Sequence, residues 1–137
     1  MKIIDASVAV KWFVDEPIGK NLAVKVLKEI EADPSSFAVP ELFFAEMLNV
    51  LCRLSKNSLV INSCMTRLEH LGLSRIGLGH EVLETAATLA LDWNVSGYDA
   101  IYVACAKLTS GQWLTFDQEA AKKVKTKGLV LSLRQKL

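Results

Sequence analysis

Short apolar runs alternate with longer amphipathic stretches along this 137-residue chain. Short, mainly apolar runs between turn signals are typical of buried strands. The runs of this kind are "KII", "FAV" before Pro40, "LSRIGL", "QWLTF" and "GLVLSL". Alternating strands and helices are typical of an α/β domain whose parallel sheet is covered on both faces. We therefore expect a single α/β domain over residues 1–137.

Between these runs, apolar residues recur at helical spacing. The predicted helices are 7–14, a helix after Pro17 that carries Leu22, Val26, Leu27 and Ile30, and then 41–55, 58–71, 80–93, 96–108 and 118–124. No internal repeat or low-complexity linker divides the pattern. Every predicted strand is thus followed or preceded by a helix, as a parallel sheet requires.

Net charge is only +1, so the whole molecule has no strong attraction to nucleic acid or to membranes. The charge is unevenly distributed, because no acid follows Glu119. Six cations do: Lys122, Lys123, Lys125, Lys127, Arg134 and Lys136. This basic segment either contacts phosphates or is a solvated helix face.

The cysteines and histidines exclude a zinc site. The three cysteines have no C-x-x-C spacing, and the two histidines form no ligand pair with each other or with a cysteine. Buried free thiols in a reducing cytoplasm are the expected state. No apolar stretch reaches the roughly 18 residues that span a bilayer, and no signal pattern begins the chain, so we expect a cytoplasmic protein with no membrane contact.

Asp5 and Asp117 each stand between a predicted strand and a predicted helix, in "KIIDAS" and "WLTFDQEAA". In open parallel sheets, ligands bind just outside the carboxyl ends of the strands, and both aspartates would lie on that edge. Aspartate is also a favoured helix N-cap. The sequence leaves both functions open for each residue.

Asp99 follows Ser96 with the spacing of a capping box, before the apolar helix "YDAIYVACA". It would also lie in the first helical turn, where the amide dipoles favour an ionised carboxylate. Capping and metal binding are compatible at such a position.

Glu46 lies in the helix "ELFFAEMLNVLCRL", which is apolar around most of its circumference. Glu46, Asn49 and Arg53 fall within a polar stripe of roughly 60°. We expect the helix to be largely buried with this stripe facing a cleft; the alternative is a thin edge exposed to solvent. Glu41 lies at the start of the same helix, where capping and dipole effects account for an acid.

Four converging carboxylates would need compensation. Two carboxylates about 5 Å apart repel by roughly 3 kcal/mol at an effective dielectric near 20, so four require a cation or bound protons. An oxygen-only donor set suits Mg²⁺ or Mn²⁺. Such a centre polarises a phosphate and lowers the pKa of an attacking water, which is chemistry suited to phosphoryl transfer.

Four segments, "DASVAVKWF", "ELFFAEMLNVL", "YDAIYVACA" and "LTFDQEAA", occur in this order across nearly the whole chain. Together they resemble a PIN-domain ribonuclease of the VapC toxin branch of toxin–antitoxin pairs. The resemblance implies a single PIN domain with a three-layer α/β/α fold and about five parallel strands. It implies that the metal ligands are Asp5, Glu46, Asp99 and Asp117, that Ser7 and Thr115 orient acids or water, and that Asn49 hydrogen-bonds to the site.

The same resemblance implies Mg²⁺- or Mn²⁺-dependent hydrolysis of RNA that leaves a 5′-phosphate and a 3′-hydroxyl. It also implies a homodimer and a small antitoxin that blocks the acidic cleft. Glu119 is placed to share or replace the function of Asp117. The cations expected to grip RNA are Lys11, Lys107 and the lysines between Lys122 and Lys127.

Two alternatives stay open. A phosphatase would use Asp5 as its nucleophile, but such enzymes commonly have a second aspartate where this chain has Ser7. A catalytically silent PIN-like module would bind only RNA or a protein partner.

Aromatic residues are assigned to packing: Trp12, Trp93 and Trp113 to the core or a dimer interface, and Tyr102 to the buried side of its helix.

Overall fold

The computed structural model describes residues 1–134 and contains one five-stranded parallel sheet. Its strands are β1 (Lys2–Ile4), β2 (Phe37–Pro40), β3 (Ser74–Ile76), β4 (Gln112–Thr115) and β5 (Val130–Ser132). Their order across the sheet is β3-β2-β1-β4-β5. Each strand coincides with one of the five predicted apolar runs.

Seven α-helices connect the strands in this part of the chain. They are α1 (Ala6–Ala9), α2 (Lys20–Ala32), α3 (Leu42–Leu54), α4 (Ser58–His70), α5 (His80–Trp93), α6 (Gly97–Leu108) and α7 (Gln118–Lys123). The predicted first helix is split, since α1 continues as a 3₁₀ turn over Val10–Trp12. The other predicted helix ends agree with the structure to within a residue or two.

The helices form two layers that enclose the sheet. From β1 the chain moves first towards β2 and β3, and later crosses to β4 and β5. Right-handed crossovers in these two directions put α1–α4 on one face and α5–α7 on the other. Helix α6 packs across β1, β2 and β4, and α5 packs against α6. The predicted three-layer α/β/α architecture is confirmed.

The central strand β1 anchors the core. Ile3 and Ile4 point to opposite faces of the sheet, and both are fully buried. Burial of each contributes about 2–3 kcal/mol relative to an exposed side chain. A strand that is apolar on both faces is stable only between two helical layers, which accounts for the position of β1 at the centre of the sheet.

The register between β1 and β4 positions the residues that follow the two strands. Ile4 pairs with Leu114, and the Asp5 backbone N–H donates to the Leu114 carbonyl over 3.1 Å. One step further along the strands, Asp5 lies beside Thr115. The chain leaves β1 and β4 on opposite sides here, which makes this the topological switch point where open α/β sheets bind ligands.

The prediction that α3 is largely buried is wrong. One flank, formed by Phe43, Phe44, Met47 and Leu51, packs into the protein. The other side of α3 is open to solvent. Leu48, beside the buried flank, is 46% exposed, and Leu54, the last residue of the helix, is 56% exposed. On the neighbouring helix α4, Leu59 and Val60 are also exposed, at 76% and 48%. The helix is apolar all round because it contributes both to the core and to an exposed apolar surface.

The expected burial of the cysteines holds for only one of them. Cys105 is buried, Cys64 is half-buried and Cys52 is exposed on the open flank of α3.

As far as residues 1–134 go, no helix has both the length and the apolar character needed to cross a bilayer.

Candidate functional site at the carboxyl edge of the sheet

Asp5 follows β1 directly, and its carboxylate is buried among neutral donors. Oδ2 accepts the Ser7 hydroxyl, the Ser7 backbone N–H at 3.2 Å and the Thr115 hydroxyl at 3.0 Å. The Trp113 indole N–H donates to Oδ1 over 3.4 Å. A hydrogen bond to an ionised group contributes about 1.5–3 kcal/mol, so these donors offset much of the cost of burying the charge. Asp5 is also the N-cap of α1.

Ser7 and Thr115 join the ends of β1 and β4. Each hydroxyl donates its single hydrogen to Asp5 and accepts a backbone N–H in return. Ser7 Oγ accepts from the Phe116 amide at 3.0 Å, and Thr115 Oγ1 accepts from the Asp117 amide at 3.0 Å. Both hydroxyls are therefore committed to orienting Asp5 and the segment that carries Asp117, as the resemblance implies for Ser7 and Thr115.

Asp117 is the N-cap of α7, where Oδ1 accepts the Ala120 backbone N–H at 3.0 Å. Its side chain is exposed, unlike that of Asp5. Capping occupies one carboxylate oxygen and leaves the other free to turn towards the sheet edge. Two residues on, the Glu119 carboxylate is 84% exposed and pairs with Lys122 at 3.4 Å.

Glu46 lies on α3, at the border between its buried and its open flank, and is half-buried. The buried Tyr102 hydroxyl donates to Glu46 Oε1 at 2.6 Å. The structure thus directs Glu46 inwards, whereas Asn49 and Arg53 of the same predicted stripe are exposed. Among the described residues, the Asn49 amide makes no hydrogen bond to the site, although it lies one helical turn beyond Glu46.

Asp99 lies in the first turn of α6 and is half-buried. Ser96 caps the helix by accepting the Asp99 backbone N–H at 3.0 Å, which leaves the Asp99 carboxylate outside the helix. The start of α6 therefore presents Asp99 with its charge favoured by the helix dipole.

The carboxylates lie close enough to oppose each other's ionisation. Burial raises the pKa of Asp5 in spite of the donors around it. Burial also raises the pKa of Glu46, with added repulsion from Asp5 and Asp99, while the Tyr102 bond opposes the shift. The pKa of Asp99 is raised by burial and by the charges of Asp5 and Asp117; Ser96 and Lys123 partly counter this. The charges of Asp5, Glu46 and Asp99 thus affect one another, and the charge of Asp117 reaches Asp99.

This site fits a hard divalent cation by its donor chemistry. Its charged donors are all carboxylates, and within residues 1–134 neither Asp5, Glu46 nor Asp99 forms an ion pair. No three His, Cys, Asp or Glu side chains in that range are grouped tightly enough to form a ready-made metal centre. A cation would have to draw the carboxylates together, and the relief of their repulsion would favour that movement.

The sequence matches the PIN domain family over residues 2–126. The chain belongs to the PIN domain family. Its resemblance to that family, first based on four short segments, therefore extends over nearly its whole length. No curated protein matches the sequence closely.

Several solved structures share the PIN fold at low sequence identity. A toxin–antitoxin complex from Klebsiella pneumoniae is 16% identical, with a TM-score of 0.72 over 98% of this chain and 100% of that one. VapBC2 from Rickettsia felis, bound to a fragment of promoter DNA, is 12% identical, with a TM-score of 0.75 over 96% and 98%. VapC20 from Mycobacterium tuberculosis, a toxin that cleaves the sarcin–ricin loop, is 13% identical, with a TM-score of 0.72 over 98% and 100%.

Two aromatic residues of this PIN domain contact the acids, and sequence analysis had assigned both only to packing. Trp113 and Tyr102 are buried as expected, but their polar atoms reach Asp5 and Glu46. The spacing of both aromatic residues from predicted site residues could have indicated these contacts. Trp113 lies two residues before Thr115 on the same face of β4, and Tyr102 lies one turn after Asp99 on α6. A buried indole or phenol also needs a hydrogen-bond partner.

The cations expected to contact RNA differ in how close they lie to the acids. Lys123 is close enough to lower the pKa of Asp99. Lys11 lies over the Phe116 ring, with Nζ 4.9 Å from its centroid, and donates to the Ile18 carbonyl. Lys107 lies near the opposite end of α6 from Asp99, about 12 Å along the helix axis. Lys125 bonds the Asp92 carbonyl, and Lys136 lies outside the described residues.

A pocket of about 540 Å³ adjoins Asp117. Its lining residues include Ile18, Phe116, Leu133, Lys122 and Arg134. Phe116 and Gln118 flank Asp117 in the sequence, but the pocket lining includes none of the four acids. Its walls are mainly apolar, with cations at the rim.

Proposed function

We propose that this single-domain protein is a divalent-metal-dependent ribonuclease and the cytoplasmic toxin of a VapBC-type toxin–antitoxin pair. The observation that carries the proposal is the mutual repulsion of Asp5, Glu46 and Asp99, which form no ion pair within residues 1–134, at the switch point of a PIN-domain sheet. Carboxylates placed in this way destabilise the metal-free protein, so a functional need for their charge explains them better than a structural one.

Asp5, Glu46, Asp99 and Asp117 would hold Mg²⁺ or Mn²⁺ through their oxygens. A cation bound there polarises a phosphodiester and makes an attacking water more acidic. Ser7 and Thr115 keep Asp5 in one orientation, since both donate to Oδ2. Asn49 would act from the open side of α3, and Glu119 could supplement Asp117 only by leaving Lys122.

The pocket beside Asp117 supports an RNA substrate. Phe116, Ile18 and Leu133 offer apolar contact to a base, and Lys122 and Arg134 offer charge to its phosphates. Because the net charge is only +1, this local concentration of cations matters more than long-range attraction.

The exposed apolar residues of α3 and α4 support a protein partner. Leu48, Leu54, Leu59 and Val60 are all exposed on these two neighbouring helices, and exposed apolar side chains grouped in one region are typical of an interaction site. Structures that share the fold include components of toxin–antitoxin complexes. We propose that this protein likewise pairs with an antitoxin that blocks the acidic site, and that it forms a homodimer.

The test is cleavage of labelled single-stranded RNA by the purified protein with Mg²⁺ or Mn²⁺, and again with EDTA. We expect cleavage with either metal, none in EDTA, and none by the Asp5→Asn and Asp99→Asn variants. Products should carry 5′-phosphates and 3′-hydroxyls. Cleavage that persists in EDTA, or in both variants, would refute a metal-dependent nuclease.

The same assay separates the alternatives. Metal-dependent release of phosphate from a phosphomonoester, with RNA left intact, would indicate a phosphatase. Binding of RNA without cleavage under any metal condition would indicate a silent binding module.

A further inference from the structure

Tyr102 connects the buried core to the acidic site. Its side chain is 1% exposed, and its hydroxyl donates to Glu46 Oε1 at 2.6 Å. Glu46 comes from α3 and Tyr102 from α6, on the opposite face of the sheet. This hydrogen bond is therefore a direct polar link between the two helical layers at the edge where the acids meet.

The ring of Tyr102 is fixed by the core. It stacks on Trp113 with a centroid separation of 6.0 Å and an interplanar angle of 24°. Trp113 is fully buried, and its indole N–H donates to Asp5. Two stacked aromatic side chains thus bond two different acids, one from β1 and one from α3. Neither ring can shift without disturbing the packing of the other.

The hydroxyl of Tyr102 acts as a donor. A phenol is protonated at neutral pH, and the Glu46 carboxylate oxygen can only accept this hydrogen bond. A phenol that keeps its hydrogen offers it to Glu46 Oε1 and leaves Oε2 without this bond. Glu46 has a long, flexible side chain on a half-exposed helix, and Asn49, one turn further along α3, is directed to solvent.

We propose that Tyr102 is a positioning residue, which holds the Glu46 carboxylate at the acidic site and leaves Oε2 as its cation ligand. This inference rests on the proposed function. It assigns Tyr102 to orienting a ligand and not to contact with the RNA or the cation. Hydrogen bonds behind metal ligands commonly change metal affinity by about 10–100-fold.

Tyr102→Phe removes one oxygen and keeps the stacked ring. Mn²⁺ binding to the metal-free full chain, measured by calorimetric titration, should weaken by about 10-fold in this variant. RNA cleavage by Tyr102→Phe should recover as the Mn²⁺ concentration is raised. Tyr98→Phe is the matched control, since Tyr98 is 64% exposed in the same helix, and its affinity should equal that of the wild type.

A double-mutant cycle with Glu46→Ala tests whether Tyr102 acts through Glu46. Once Glu46 is removed, adding Tyr102→Phe should not weaken Mn²⁺ binding further. Equal losses in both backgrounds would overturn the inference. So would a Tyr102→Phe variant that melts at a lower temperature but binds Mn²⁺ like the wild type, because the tyrosine would then be only structural.

The outcomes also separate this inference from the proposed function. If the wild type binds Mn²⁺ and cleaves RNA but Tyr102→Phe matches its affinity, only the assignment of Tyr102 is refuted. If the wild type neither binds Mn²⁺ nor cleaves RNA, both proposals are refuted.

Discussion

Two acids follow neighbouring parallel strands at the same edge of the sheet, and they are treated in opposite ways. Glu41 comes directly after β2 and is bound by Arg75 of β3 through two hydrogen bonds, of 2.8 and 2.7 Å. Arg75 also pairs with Glu69 and lies over the Phe44 ring, 3.9 Å from its centroid. Asp5 comes directly after β1, and its donors within residues 1–134 are all neutral.

The pKa values show what this difference means. The bonds from Arg75 lower the pKa of Glu41, so its charge is favoured in the folded protein. Burial raises the pKa of Asp5, so its charge is disfavoured there. The ionised Glu41 carboxylate therefore stabilises the folded protein, whereas the ionised Asp5 carboxylate destabilises it. The lack of a permanent cation, and not the position at the strand end, distinguishes a candidate ligand from a structural acid.

We expect the largest effect on the rate of RNA cleavage, when Asp5 and Glu41 are substituted in turn. Asp5→Asn should reduce metal-dependent RNA cleavage by at least about 100-fold, because it removes a charged ligand and leaves its donors facing an amide. Glu41→Gln, at the same edge, should cleave at the wild-type rate. Initial rates at fixed Mn²⁺ check this. Comparable losses in the two variants would mean that strand-end acids in general support activity.

Thr115→Val tests the neutral donors. The substitution keeps the shape but removes the hydroxyl that donates to Asp5 and accepts the Asp117 amide. We expect a loss of about 1–3 kcal/mol of unfolding free energy at neutral pH, since buried partners are left unsatisfied. Urea denaturation with an unchanged m-value would measure it. Wild-type stability of Thr115→Val would show that Asp5 needs no neutral donors. Thr126→Val is the control, since Thr126 is exposed and its side chain makes no capping hydrogen bond.

Stability should depend on pH in opposite directions at the acidic site and at Glu41. Asp5, Glu46 and Asp99 have raised pKa values, so their protonated forms are favoured in the folded protein. In EDTA, the contribution of these groups to the unfolding free energy is present near pH 4 and is lost as the pH rises through their raised pKa values. Glu41 has a lowered pKa, so its contribution is present above its ordinary value of 4.5 and is lost as the pH falls.

Asp99→Asn isolates the first of these effects. In EDTA, the variant should melt at a higher temperature than the wild type at pH 7, and the difference should shrink towards pH 4 as the wild-type carboxylates become protonated. Thermal melts across that range measure it. A variant that is less stable at pH 7 would contradict the view that the ionised acids repel one another.

The smallest effect is expected at Arg75. Arg75→Gln breaks both ion pairs, but Arg75, Glu41 and Glu69 are well exposed, and exposed pairs are weak and screened by salt. We expect a slight fall in melting temperature at low salt that disappears at high salt, with RNA cleavage unchanged. A large, salt-independent loss would mean that the arginine stabilises mainly through its contact with Phe44.

The fold could be predicted from the sequence because its strands are short and separated by helices, and because β1, β2 and β4 are mainly apolar. Ile3 and Ile4 in "KII" favour a buried central strand, and "QWLTF" is typical of a further buried strand. The capping bonds that local chemistry offered as one interpretation are present, since Asp5, Ser96 and Asp117 each accept a backbone amide of the helix that follows.

What the sequence could not provide depends on contacts between distant elements. Glu41 was explained by capping, but its partner Arg75 lies 34 positions away on another strand. Tyr102 and Glu46 are 56 positions apart and meet only because α3 and α6 converge at one edge. The burial of α3 was misjudged for a related reason, since apolar composition does not separate a core-facing flank from an open one.

Trp113 gives the molecule a built-in optical reporter. The emission energy of an indole depends on the local electric field, and the N–H of this one donates to the Asp5 carboxylate. Its complete burial removes the influence of bulk water, whereas Trp12 and Trp93 are only partly buried and can be replaced by phenylalanine to remove their background. A change of charge at Asp5, whether by protonation or by an arriving cation, can therefore be followed without label or substrate.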